Sequence, residues 1–355
     1  MFSERLENLI KAALKDGVLT EQEKNAIVKR AEAEGEDIDE VDIYIQSLMQ
    51  EKQQQLARVA ISINSNKVKT ITLDERIRKD LSELYNGGNT PGVIQDALGL
   101  NGLIQAKQGQ TSFATKALPG YYTGKRDSKT VMVMLNPGMD VNKANNNLNC
   151  DILKRSMKNA GDIVAYHKWS INYGHEDKSR QDNFDLKQAF FLHKWKDTGI
   201  SLPTNLSANP KSDKQTLLDA KEIVLTQKLQ LDLIPYASSS FGKFAKDKLS
   251  LVFPFVETVF DEIFSHDRKY VIFCSRKFER VFKKYNKVYP GTIDFLGTYS
   301  QKIAGSKING SCTKICIHYN NKSLDAIIAN TFPNQALPNA YDKMEDYGAF
   351  CYSVY

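Results

Sequence analysis

The segment Val131-Met132-Val133-Met134-Leu135-Asn136-Pro137-Gly138 decides the fold class. Its first five residues are apolar without interruption, and turn formers close it. An apolar run this short, bounded by turn residues, reads as a strand buried on both faces, the kind found in parallel sheets. In open α/β sheets ligands bind just beyond the carboxyl ends of such strands. Asn136 therefore stands where chemistry is expected, and Pro137-Gly138 turns the chain sharply behind it. Taken alone, Asn-Pro-Gly is also readable as a plain turn, so the segments downstream carry the decision.

Four further apolar segments follow. Leu229 to Ile234 runs into Pro235-Tyr236, and Tyr270 to Cys274 runs into Ser275-Arg276. Cys312 to Tyr319 alternates in polarity. Ala326 to Ala329 runs into Asn330-Thr331-Phe332-Pro333-Asn334. Helical patterns lie near 150–159, 212–226 and 249–265, with an aromatic and charged stretch over 162–200. Strands alternating with helices imply right-handed crossovers and a parallel sheet with helices on both faces. The expectation for residues 111–355 is a three-layer α/β/α domain whose strand-end loops converge on one edge.

Upstream the pattern is helical. Leu6, Leu9, Ile10, Ala13 and Leu14 recur at spacings of three and four, and Asp16-Gly17 closes that helix. Thr20 to Glu23 reads as a capping box for a second helix, which stops at Gly35. Asp37 or Asp39 caps a third, carrying Val41, Ile45 and Leu48. Residues 1–55 thus form a small all-α module. A calcium loop from Asp16 fails, because oxygen ligands are missing at the required alternating positions. Residues 56–110 read as a linker with a helical connection near 74–85, ended by Asn86-Gly87-Gly88-Asn89.

Charge divides the same way. Residues 1–55 hold 7 Lys+Arg against 13 Asp+Glu, so within a total of +6 the remainder carries +12. A basic body with an acidic appendage fits a polyanionic partner for the body, or simply a solvated basic surface. No apolar run is long enough to span a membrane. The five cysteines lack paired metal spacing and read as reduced core thiols of a cytosolic protein. His167, His175 and His193 lack the spacing of a zinc site. No P-loop, dinucleotide fingerprint or Ser-His-Asp order is evident, and no metal or redox cofactor is expected.

The order of these segments resembles the uracil-DNA glycosylase superfamily. In its mismatch-specific and single-strand-selective branches the first motif is an apolar strand ending in Asn-Pro-Gly, as in Leu135-Asn136-Pro137-Gly138. A second strand ends in a base-reading residue, here Asp232-Leu233-Ile234-Pro235-Tyr236. The last motif is a His-Pro-Ser-like loop, whose place is taken by Phe332-Pro333-Asn334-Gln335-Ala336-Leu337. The resemblance covers about residues 111–355, and the N-terminal module resembles TerB-like helical repeats.

The resemblance implies hydrolysis of the N-glycosidic bond of a base extruded from duplex or single-stranded DNA, in repair or in defence against modified phage DNA. Asn136 would position the attacking water, with Asn334 as a second catalytic position. Gly138, Asp232, Tyr236 and Phe332 would contact the base. Pro137, Ser275, Arg276, Lys277, Gln335 and Leu337 would contact DNA. The acidic module would serve a protein partner.

Two departures stand out: Phe332 replaces the charge-stabilising histidine, and Asp232 replaces an asparagine. An ionised carboxylate only accepts hydrogen bonds, which suits the exocyclic amine of cytosine or a modified cytosine over uracil. Asp232 is otherwise a helix cap or ion-pair partner. Tyr121, Tyr122 and Tyr236 are either a stacking platform or core tyrosines. Alternatives to a glycosylase are a catalytically degenerate nucleic-acid binder of the same fold and a protein-interaction or virion component.

Overall fold

A computed structural model describes residues 2–14, 19, 21–48, 71–88, 113–114, 117–138, 148–172, 183–200, 222, 225–238, 246–303, 309–330 and 341–355. Thr20 and Phe332 to Leu337 lie outside these residues. The chain divides into two compact units, Met1–Lys67 with Tyr289–Gly291, and Val68–Val288 with Thr292–Tyr355. The helix expected in the connection therefore groups with the α/β unit.

The first unit contains α1 (Glu4–Ala13), α2 (Glu21–Glu34) and α3 (38–48). The Ser3 hydroxyl accepts from Leu6 N at 3.1 Å and caps α1. Gly35 takes φ +73°, and Glu36 N donates to Ala31 O at 3.0 Å, closing α2 in the left-handed manner that glycine permits. Asp37, not Asp39, caps α3, its Oδ1 accepting from Asp39 N at 2.8 Å. Leu6, Ile10, Ile27, Ala31, Val41 and Ile45 form the core.

The second unit is built on a seven-stranded sheet in the order β1-β3-β2-β4-β7-β6-β5. The strands are β1 (Tyr122–Gly124), β2 (Thr130–Met134), β3 (Leu229–Asp232), β4 (Tyr270–Phe273), β5 (Ile293–Gln301), β6 (Gly310–Tyr319) and β7 (Lys322–Ala329). β3, β2, β4 and β7 are parallel neighbours, whereas β1, β6 and β5 pair antiparallel. The expected parallel sheet is thus the centre of a mixed one. The antiparallel flank follows from a tight hairpin, because Asn320 and Asn321 take φ +50° and +62°, as a two-residue turn between twisted strands requires.

Alternation along the strands divides the core. Met132, Met134, Ile272 and Cys274 pack with Phe190, Phe191, Trp195, Met344 and Tyr347. These come from α7 (Asn183–Leu192), the turn after it, and α10 (Tyr341–Val354). Within the aromatic and charged stretch 162–200, Phe190, Phe191 and Trp195 are thus core residues. α5 (Leu148–Ser156) and α6 (Ile163–Asn172) precede them. Phe273 instead meets Phe278 and Phe282 at ring-centroid distances of 5.0 and 4.8 Å. Those two belong to α9 (Lys277–Val288).

α4 (Leu73–Tyr85) opens with a full capping box, Thr72 and Glu75 each serving the other's backbone N–H. α8 (Phe253–Phe264) starts with Pro254 in its first turn, where a missing N–H costs nothing. At its far end Glu262 is held by Arg126 and Arg268. Arg126 Nε donates to it at 2.9 Å, and Arg268 Nη1 also donates to Arg126 O at 2.6 Å. Burial pushes the Arg268 guanidinium down to about 10, with Glu262 opposing.

Candidate functional site

Because β3, β2, β4 and β7 are parallel, their carboxyl ends share one edge. The chain goes from β2 to β3 on one side and then crosses to β4 on the other. The order therefore reverses at the β2–β4 crevice, the place where open α/β sheets hold ligands. Asn136 flanks it after β2, and Ser275-Arg276 flanks it after β4.

The segments following β2 and β3 continue side by side past the sheet. Ile234 N donates to Leu135 O at 2.9 Å and Ser238 N to Pro137 O at 3.1 Å. Gly138 bridges Ser238 in parallel. Pro137 has no N–H to offer, and Tyr236 O is met instead by the side chain of Asn136. The Asn136 Nδ2 group donates to Tyr236 O at 3.3 Å, Pro137 O at 3.1 Å and Ser238 Oγ at 2.7 Å. Two of these are carbonyl oxygens, which only accept, so the orientation of the amide is fixed. Its Oδ1 has no partner among the described residues. The side chain is half-buried, and this oxygen can accept from a water.

Asp232 ends β3 and is 8% exposed. Its Oδ2 accepts from Gln230 Nε2 at 3.5 Å, and Lys228 Nζ lies 3.4 Å from Gln230 Oε1. Residues 228, 230 and 232 share one face of the strand, forming a buried polar file. Burial raises the Asp232 carboxyl to about 7, against the Gln230 hydrogen bond and the Lys228 charge. Burial lowers the Lys228 ammonium to about 8, against the charges of Asp185, Cys274 and Asp232. Gly120 joins Asp232 to the Asn136 turn. A Cβ there would meet Pro137 Cγ at 3.0 Å and Asp232 Oδ2 at 4.0 Å. A cavity of about 10 Å³ lies against Asp232, Tyr121, Thr258 and Glu262, room for about one water.

Tyr236 is not an exposed platform. Its ring is 2% exposed and packs edge-on against Phe113, Tyr121 and Phe255. Tyr121 and Tyr122 are buried likewise, so all three are core tyrosines. The Tyr236 hydroxyl lies 3.5 Å from that of Tyr121, which donates to Asp80 Oδ2 at 2.8 Å. Burial raises the Asp80 carboxyl to about 7, although Tyr121, Tyr236 and Arg76 favour its charged form. Asp80 Oδ1 and Arg76 Nη1 are buried without a hydrogen-bond partner among the described residues. Tyr236 thus links this network to the site, its hydroxyl in the core and its carbonyl on Asn136.

Ser275 is fully buried. Its Oγ accepts from Lys277 N at 3.3 Å and its carbonyl from Phe278 N at 3.0 Å, so it shapes the entry to α9. Arg276 and Lys277 are exposed. Partial burial lowers the Lys277 ammonium. Arg276 lines an open groove of about 500 Å³ with Leu249, Glu279, Arg280, Lys283, Lys284 and Lys287. The last four cations escaped the sequence reading, although basic residues at 276, 280, 284 and 287 repeat at helical spacing. Ser238 and Gly120 escaped it as well, and no local motif marks them.

Asn136, Pro137, Gly138 and Asp232 are therefore brought together, with Tyr236 contributing its carbonyl, while Ser275 and Arg276 stand across the crevice. No family model, no curated protein and no solved structure matches the chain.

Proposed function

We propose that the protein is a DNA N-glycosylase of three-layer α/β/α architecture that hydrolyses the bond to an extruded base at the carboxyl end of β2. The observation that carries this reading is the state of the Asn136 amide. Its N–H groups are engaged by Tyr236 O, Pro137 O and Ser238 Oγ, which leaves Oδ1 as an acceptor at the crevice. A water donating to Oδ1 would be held with a lone pair towards C1′ of the sugar. The glycosidic bond breaks with its electron pair going to the base. The water oxygen then bonds to C1′, and its proton passes to solvent.

Asp232 is the candidate reader of the base edge. Ionised, it only accepts, which suits an exocyclic amine; protonated, it also donates, which suits a carbonyl such as uracil O4. With its carboxyl raised to about 7, both forms are present near neutrality. Arg276 and the four cations beside it support a polyanionic substrate. The test is release of base from oligonucleotides carrying uracil, cytosine or hydroxymethylcytosine, compared between the natural chain and Asn136→Ala.

One observation favours a second reading, a nucleic-acid binder without catalysis. The Asn136 N–H groups are all spent within its own fold, as in a residue that merely ties a turn. Binding without base release in every oligonucleotide would select it.

A further inference from the structure

α9 concentrates positive charge on one side. Phe278, Val281, Phe282 and Tyr285 recur at three and four and are buried. The same period turns Arg280, Lys283, Lys284 and Lys287 outward, and Arg276 precedes them in line. Among the described residues, the single acidic group in the groove is Glu279. It lies 3.7 Å from Arg276 Nε and accepts from Thr313 Oγ1 at 2.8 Å. Lys283 Nζ stands 5.4 Å from the centre of the Phe295 ring.

We propose that this groove carries the sugar-phosphate backbone of a nucleic-acid strand that passes the crevice at Asn136; only the direction of the strand rests on the glycosylase reading. Three features select a polynucleotide among anions. Arg276 to Lys287 spans about 16 Å at 1.5 Å per helical residue, the length of roughly five stacked nucleotides at 3.4 Å each. The groove is long and open, so a single phosphate would leave most of the cations without a partner. A helix lying in a lipid surface inserts its apolar face, and here that face is committed to the core against Phe273. The track also begins in the right place. Ser275-Arg276 leaves β4 directly beside β2, where Cys274 N donates to Val133 O at 2.8 Å.

The experiment compares the natural chain with Arg280→Gln/Lys284→Gln/Lys287→Gln, all exposed positions outside the strand-end site. Binding of a fluorescein-labelled single strand, its duplex and phosphatidylserine vesicles is measured across a salt series. Losing three phosphate contacts should flatten the slope of log K against log salt by about 2 on the single strand and about 2.7 on the duplex. At 0.1 M salt the single strand should bind about 100-fold more weakly. If the triple variant does not fold by circular dichroism, Lys284→Gln alone should flatten the single-strand slope by about 0.7. Unchanged affinity and slope overturn the proposal. So does absence of nucleic-acid binding by the natural chain, or loss confined to the vesicles. Unchanged binding in the groove variant leaves the Asn136 reading standing, whereas full excision by Asn136→Ala removes that reading and leaves the groove.

Discussion

Replacing Asp80 by Asn should make the α/β unit markedly less sensitive to pH. Asp80 is wholly buried, accepts from the Tyr121 hydroxyl at 2.8 Å and has a second oxygen without a partner among the described residues. Desolvation is the largest influence on it and moves its carboxyl from 3.8 to about 7. A carboxyl raised on folding binds its proton more tightly in the native state. Its contribution is therefore complete below about pH 4 and is lost as pH rises through about 7. At about 1.4 kcal/mol per pH unit, the loss across that window is roughly 4 kcal/mol. Asn keeps the shape and the acceptor for Tyr121 but has no proton to lose. The stability of the variant relative to the natural chain should thus climb by roughly 4 kcal/mol between pH 4 and pH 8. Asp232 is raised in the same window, but it is present in both proteins and cancels in the difference. Urea unfolding at a series of pH values measures this through fluorescence of Trp169 and Trp195. These are the two tryptophans of the chain, and both lie in the α/β unit. Parallel profiles across pH 4–8 would mean that Asp80 is ionised in the fold, and the argument from burial would fail.

Other consequences can be checked in the same way. Glu262→Ala should cost about 3–5 kcal/mol in denaturant unfolding, because it removes the carboxylate beside the buried Arg268 and leaves the half-buried Arg126 with Asp74 alone; a cost below about 1 kcal/mol would show that the pair is dispensable. Gly348→Ala should destabilise by about 1–3 kcal/mol, although alanine is the better helix former, since its Cβ would overlap the Phe191 carbonyl where α7 and α10 meet; a gain in melting temperature would contradict that close approach. Release of uracil relative to cytosine should fall as pH rises through about 7, as Asp232 loses its proton, and Asp232→Asn should abolish the dependence. A flat ratio in the natural chain would remove Asp232 from base reading.

The centre of this fold was legible because it is written in uninterrupted apolar runs. Val131 to Leu135 and Tyr270 to Cys274 are such runs, Leu229 to Ile234 is apolar except at Gln230 and Asp232, and the structure pairs all three in parallel. The flank was not legible in the same way. β5 faces water along most of its length, so Ile293 to Gln301 carries no apolar run. Its place is fixed by antiparallel pairing with the next strand, β6, from Ile293 opposite Ile317 to Gln301 opposite Gly310. α9 had a readable signature in Phe278, Val281, Phe282 and Tyr285 at spacings of three and four, left unassigned in the sequence reading.

At the site the distinction is similar. Asn136 was found by its place after a strand. The hold that Tyr236 and Ser238 exert on it depends on a segment one hundred residues away. Tyr236 looked like a platform because tyrosine serves both roles, and only the buried Asp80 and Tyr121 beside it decide for the core. Phe332 and Asn334 lie outside the described residues.

The most direct test of the account is base excision by Asn136→Ala, with DNA binding measured on the same preparation. The account predicts that release of free base is lost while affinity for the oligonucleotide stays within a few-fold, since the water-holding oxygen goes and the α9 cations remain. Excision at the natural rate by Asn136→Ala would contradict it.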